Sequence, residues 1–244
     1  MSFPLDEGLL EIFSNSFYGY GAYRSPLWFI GPHATLLGRD GDEAASRLEL
    51  WHRRGQPQTV DLPRFYSMMG EKQWFTEAAQ LHRVWSKLAR IALAFQDSEA
   101  TGRVRSYQAG ELGRMKGHNL LLHLLATEHL PDAEWPYSRL ETPYLRRPDL
   151  YVERFAERRA LHITRQIRRY NPRVAVFYDL TNKLWWNKIT GAGFEKSSVR
   201  DCFAVRKGST LYLMVRHPES IGTRNDYFTN VGRLAASMTA DARE

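Results

Sequence analysis

Pro26-Leu27-Trp28-Phe29-Ile30-Gly31-Pro32 is the stretch on which the fold turns. Its apolar residues leave no polar face, and Gly31-Pro32 then punctuates them. So short a run, apolar on both sides, reads as an interior strand that gives way to a loop at Gly31. Three later segments share the character: Leu120 to Ala126 (interrupted only by His123), Val174 to Tyr178 and Leu211 to Val215. Helical patterns separate them. Trp74, Ala78, Leu81, Trp85, Leu88, Ala92 and Phe95 recur at spacings of four and three, which predicts one long helix with Arg83, Lys87 and Arg90 off its apolar stripe. An Arg-rich helix is expected from Asp149 to Tyr170 and ends at Asn171-Pro172, because proline disfavours helix in the residue before it. Phe203 to Arg206 and Leu211 to Val215 form a hairpin around Lys207-Gly208-Ser209. A closing helix turns Tyr227, Val231, Leu234 and Met238 inward.

Two stretches resist this pattern. Tyr18 to Arg24 reads as turn-rich with exposed rings, and residues 38–72 as polar and irregular, punctuated by glycine and proline. No repeat or linker divides the chain. The expectation is one α/β domain over residues 1–244, a three-layer sandwich with a central, mainly parallel four-stranded sheet flanked by helices.

Composition narrows the function classes. The 244 residues carry 34 Lys plus Arg against 27 Asp plus Glu, a net charge of +7, and 27 of the cations are arginine. Guanidinium groups suit phosphates and aromatic faces, and aromatics reach 13%. Such a surface fits a polyanion with exposed bases, and fits an ordinary solvated surface equally well. The lone Cys202 excludes a disulfide framework and any four-cysteine metal cluster. No apolar run is long enough for a membrane span and no export signal is visible, so a cytoplasmic protein without membrane contact is expected. His33, His123, His129, His162 and His217 show no metal-ligand spacing, so no metal is assigned. No phosphate loop or dinucleotide fingerprint appears, and no cofactor is expected.

In parallel sheets ligands lie beyond the carboxyl ends of the strands. The segments there are Gly31 to Thr35, Ala126 to His129, Asp179 to Asn182 and Arg216 to Ser220. The last is the richest: the strand Leu211 to Val215 runs straight into Arg216-His217-Pro218-Glu219-Ser220-Ile221-Gly222. On its own, His217 reads most simply as a residue capping the sheet end.

The ordered set Leu27 to His33, Asn119 to Thr127, Pro172 to Tyr178 and Leu211 to Gly222 resembles the uracil-DNA glycosylase superfamily, over roughly residues 18 to 235. The match is to an outlying branch, without iron–sulfur cysteines. The resemblance implies a base flipped out of DNA and hydrolysis of its glycosidic bond in base-excision repair, by a protein expected to be a monomer. It implies that His217 stabilises the departing base and that Gly31 and Pro32 belong to the water-placing loop. Asn119 or His123 would read the base edge. Ile221 would wedge the duplex, with Ser220, Thr223 and Arg224 on neighbouring phosphates. The family's first loop carries an acidic or amide side chain. Here Gly31 to Thr35 has none, and His33 is the imidazole that would assist as base. His123 also reads as a core histidine on an apolar strand. Tyr20, Tyr23, Trp51 and Trp74 are the rings considered for stacking on the base, and Trp185 and Trp186 for the groove border. Two rivals remain: a catalytically silent nucleic-acid-binding protein of this fold, and a hydrolase of free nucleosides.

Overall fold

The computed structural model describes residues 5–34, 41–96, 100–127 and 135–240. In chain order these form α1 (Glu7–Ser16), β1 (Gly19–Gly21), β2 (Leu27–His33), α2 (Gly41–Arg53), β3 (Thr59–Val60), α3 (Leu62–Met68), α4 (Trp85–Gln96), α5 (Val104–Gly110) and β4 (Asn119–Leu125). There follow α6 (Pro143–Arg146), α7 (Pro148–Tyr170), β5 (Val174–Tyr178), α8 (Lys183–Thr190), β6 (Glu195–Lys196), β7 (Phe203–Lys207), β8 (Thr210–Val215) and α9 (Asn225–Ala240). No helix among the described residues is long and apolar enough to cross a membrane.

The sheet is mixed and eight-stranded, in the order β3-β1-β4-β2-β5-β8-β7-β6. Its middle is the parallel set β4-β2-β5-β8, made of the four apolar runs read from the sequence. The expected four-stranded sheet is therefore too small. β1 runs antiparallel to β4 and carries β3 beyond it, while β7 and β6 extend the other side as antiparallel strands. All residues of β5 and β8 and six of the seven of β4 are buried, Leu125 being the exception, because helices cover both faces. Trp28, Ile30, Leu122 and Phe177 face α7 and α8, and Phe29, Leu121, Val176 and Leu213 face the layer containing α1, α2, α4 and α9.

Several expectations need correction. Tyr18 and Tyr20 are buried, and Gly19–Gly21 enters the sheet as β1 instead of forming an exposed turn. Glycine is required there. Gly19 has φ 152°, and a Cβ on it would stand 1.9 Å from the Leu121 carbonyl oxygen. Residues 38–72 contain α2 and α3, with Ala44, Leu48 and Trp51 forming a buried stripe of helical spacing. The stripe from Trp74 to Phe95 is not one helix. Lys72–Phe75 is a separate short turn, and α4 begins only at Trp85. Trp74 and His82 still pack on Trp85, with ring centroids 6.5 and 4.1 Å away, so the apolar spacing reflects a shared core rather than a continuous backbone. α9 forms as expected, but its deepest residues are Phe228, Val231 and Ala235, while Tyr227, Leu234 and Met238 lie at its margin. α7 ends as read, with Asn171 left-handed at φ 46° before Pro172.

One buried cation ties the layers together. Arg159 of α7 is fully buried, and no carboxylate among the described residues pairs with it. Its three guanidinium nitrogens donate to the carbonyls of Leu124 (2.6 Å), Ser14 (2.7 Å) and His123 (3.0 Å), and it lies 4.3 Å from the centre of the Tyr18 ring. Ser14 is in the last turn of α1, where carbonyls lack helical partners. The guanidinium thus closes α1 and seals the end of β4 together.

Candidate functional site

The connections of the four parallel strands reverse direction between β2 and β5. From β2 the chain crosses to β4 on one side, then returns past β2 to β5 and β8 on the other. Such a reversal opens a crevice at the carboxyl ends of the two strands that flank it. The hydrogen-bond ladders end unevenly here. β2 pairs with β5 only as far as Ile30 opposite Phe177, but with β4 as far as His33 opposite Leu125. The strand thus continues through Gly31-Pro32 to His33, and the expected loop does not begin at Gly31. Thr35 and Asp40 lie outside the described residues, as does His129 after β4.

Gly31 has a role that the sequence reading did not supply. Tyr178, the last residue of β5, lays its phenol across β2 at this point. A Cβ on Gly31 would fall 2.1 Å from both Cζ and the hydroxyl oxygen of that ring. Glycine is the residue that leaves this space open. The Tyr178 ring is nearly fully buried and its centroid lies 5.8 Å from that of His217. Burial holds the phenol protonated, with its pKa well above the ordinary range.

His217 is half-buried on the segment after β8. Its Nδ1 accepts the backbone N–H of Glu219 at 3.2 Å, which fixes the tautomer with its proton on Nε2. Burial lowers its pKa, opposed by the charges of Asp179 and Glu219, so the ring is neutral near pH 7. The turn behind it is braced by backbone bonds from Ser220 N–H to the His217 carbonyl (3.0 Å) and from Thr223 N–H to the Ser220 carbonyl (3.2 Å). Arg216 anchors its base, pairing with Asp201 at 3.1 Å and donating to Thr223 Oγ1 at 3.2 Å. Tyr227 accepts the Arg216 backbone N–H and donates to the Asp201 carbonyl. At the tip Ile221 is 98% exposed, and Arg224 stands out in solvent 4.0 Å from Asp226.

His123 lies opposite Gly31 on β4 and is buried. Burial, then the neighbouring charges of His33 and Arg159, drives its pKa down to about 3, so it is a neutral ring at any ordinary pH. Its Nδ1 has no hydrogen-bond partner, and the Tyr20 ring meets it edge-on at 5.9 Å. His33 and His123 are therefore neighbours toward the carboxyl ends of β2 and β4. Asn119 does not join them. It begins β4, at the amino end of the sheet, and its amide is fully engaged. Nδ2 donates to the Tyr107 hydroxyl and the Glu111 carbonyl, while Oδ1 accepts from Gly113 N–H at 2.8 Å. The amide links the loop before β4 to α5, and that position removes it from base reading.

Of the proposed stacking rings, Tyr20 is buried against His123 and the others are dispersed. Tyr23 stacks on Tyr170 at 5.5 Å, Trp51 donates to the Pro57 carbonyl from the core, and Trp74 packs against Trp85. Trp186 is a core residue, whereas Trp185 is partly exposed with Lys188 over its ring. The ring beside His217 is Tyr178, which hydrophobicity alone merges into its strand. The second residue missed is Asp179. It has φ 86° and ψ 101°, a strained conformation for a side chain, and its carboxylate accepts Thr181 N–H, Thr181 Oγ1 and Asn182 Nδ2. Its place directly after an apolar strand was the available signal. Among the described residues no three His, Cys, Asp or Glu are grouped as metal ligands would be.

No protein-family model matches the chain, and no curated protein matches it either.

Proposed function

We propose that the chain hydrolyses the N-glycosidic bond of uracil in DNA, with other deaminated bases as further substrates. The observation that carries this is His217, a neutral imidazole whose Nδ1 is tied to a backbone N–H, leaving Nε2–H as the donor at the carboxyl edge of the sheet. When the C1′–N1 bond breaks, its electron pair leaves with the base and the negative charge gathers on the ring oxygens. Nε2–H stabilises that charge where it develops, an effect of about 10² to 10³ in rate for a donor of this kind. Water adds to the oxocarbenium carbon and gives up a proton, with His33 as the acceptor on the β2 side. His123, uncharged and beneath Gly31, reads the base edge through a neutral ring that donates or accepts according to tautomer. Ile221 enters the gap in the duplex, for which a side chain 98% exposed on a braced turn is suited. No cofactor takes part.

The segment Gly31-Pro32-His33 carries no carboxylate, and that favours one second reading: a protein that binds nucleic acid through this edge without cleaving it. Excision from a uracil-containing oligonucleotide separates the two. Wild type is expected to leave abasic sites, and His217→Ala to slow this by about 10² or more while duplex binding survives. Failure of wild type to produce any abasic site at stoichiometric protein would transfer the assignment to the silent binder.

A further inference from the structure

Beside the His217 turn lies a cavity of about 440 Å³ between that turn and α4. Arg83, Lys87 and Arg90 line one side of it, and Ser220 and Thr223 line the other. Lys87 and Asn225 also border an adjoining cavity of about 450 Å³ that reaches Arg224. The two hollows thus make one track with four cations along it. Among the described residues, Glu219 is the one acid lining the first cavity, and Asp226 the one lining the second.

These cations are only partly accounted for by the fold, in which Lys87 lies 5.8 Å from the centre of the Phe228 ring. None of Arg83, Lys87 and Arg90 makes an ion pair among the described residues, although other arginines of the chain do so readily. The Nε of Arg90 is buried without a hydrogen-bond partner. Lys87 is steered into the track by donating to Asn225 Oδ1. Burial and the charge of Arg90 lower its pKa, as expected where cations crowd without a counter-ion. Placing three like charges together costs free energy that an anion would recover.

We propose that this track binds the phosphodiester backbone of a nucleic-acid strand, with Arg83, Lys87 and Arg90 on successive phosphates leading to Arg224. The hydroxyls of Ser220 and Thr223 suit phosphate oxygens, and the guanidinium and ammonium groups hold the backbone whatever its base sequence. The role deepens the excision reading, since a strand held here passes directly beside His217, but its test does not depend on cleavage.

Fluorescence anisotropy with a uracil-free 20-base-pair duplex, titrated across salt concentrations, measures binding independently of cleavage, and the variants isolate the share of the track. Lys87→Gln and Arg83→Gln are each expected to weaken binding equally for unrelated sequences. Each should also flatten the plot of log affinity against log salt by about 0.9 for every phosphate no longer neutralised. The double variant should lose about twice that slope. Arg168→Gln, exposed near the end of α7 on the opposite face of the sheet from α4, serves as the control and should change neither quantity. A double variant with the wild-type slope, or a control that matches it, overturns the proposal. So does saturation of the track by inorganic phosphate at concentrations that leave duplex affinity unaltered by the substitutions, because the ligand would then be a free anion. Because the duplex contains no uracil, loss of the slope with no excision elsewhere refutes only the enzyme, and excision with an unchanged slope refutes only the track.

Discussion

Replacing Gly31 by alanine tests the central geometric claim, that Tyr178 occupies the space above this residue. The added Cβ would stand 2.1 Å from Cζ and the hydroxyl oxygen of Tyr178. Favourable carbon contacts lie near 3.5 Å, so the ring must retreat by roughly 1.4 Å. It is nearly fully buried and cannot swing into solvent. Overpacking of this kind costs about 1–3 kcal/mol. Alanine recovers roughly 0.5–1 kcal/mol over glycine within a strand, which leaves a net loss of up to about 2.5 kcal/mol. For a chain of this size that lowers Tm by up to about 10 °C. Thermal and urea melts followed by circular dichroism should be run in two backgrounds, wild type and Tyr178→Leu. Leucine lacks the ring atoms that collide, so there Gly31→Ala should be neutral or stabilising by up to about 1 kcal/mol. An equal destabilisation in both backgrounds would refute the claim and leave Gly31 with a purely backbone role.

Three other outcomes are expected. Arg159→Met removes the donors to three buried carbonyls and should cost about 3 kcal/mol or more, read as a fall in urea midpoint; Arg159→Lys should recover little, because one ammonium cannot span the three acceptors. Folding lowers the pKa of His123 from 6.5 to about 3, so below pH 6.5 the unfolded chain takes a proton that the native state refuses. Stability should therefore fall as pH drops from 6.5 toward 3, by about 2 kcal/mol at pH 5 from this residue alone, and His123→Gln should flatten that dependence by about one proton. His82 and His162, both lowered to about 4 by burial, add to the same acid sensitivity. Ile221→Ala should leave Tm unchanged because the side chain is almost wholly in solvent, yet slow excision from duplex more than from single strands. Equal slowing on both substrates would remove the wedge from the mechanism.

The parallel strands were legible because a strand buried on both faces leaves an uninterrupted apolar run, and α7 because Asn171-Pro172 stops it. The antiparallel margins were harder to read. β1 is three residues long and two of them are glycine, so its identity rests on close approach to Leu121 rather than on side chains. α2 hides its stripe of Ala44, Leu48 and Trp51 among charged neighbours, and glycines around it suggested an irregular loop. The spacing from Trp74 to Phe95 misled for the opposite reason, since apolar periodicity records what enters the core and not whether the backbone between is continuous. His217 and His33 were singled out because they stand at strand ends, and His123 and Asn119 because of the glycosylase resemblance. Asn119 is the first residue of β4, at the opposite edge of the sheet from the other three. Tyr178 went unassigned because its significance comes from the β2–β5 pairing, which stops at Ile30 opposite Phe177 and which no local pattern encodes, whereas Asp179 could have been picked out by its place after an apolar run.

Arg159 also bears on the order in which the molecule assembles. The carbonyl of Ser14 and the guanidinium that satisfies it are 145 positions apart. During synthesis the first helix must therefore wait, with its last turn open to water, until about two thirds of the polypeptide has emerged. Only then does α7 supply the group that fastens the amino-terminal segment and the end of β4 in one event. Truncation before that point should leave a nascent chain in which the Ser14 carbonyl lacks its guanidinium partner, even where Phe13 already packs on Trp51.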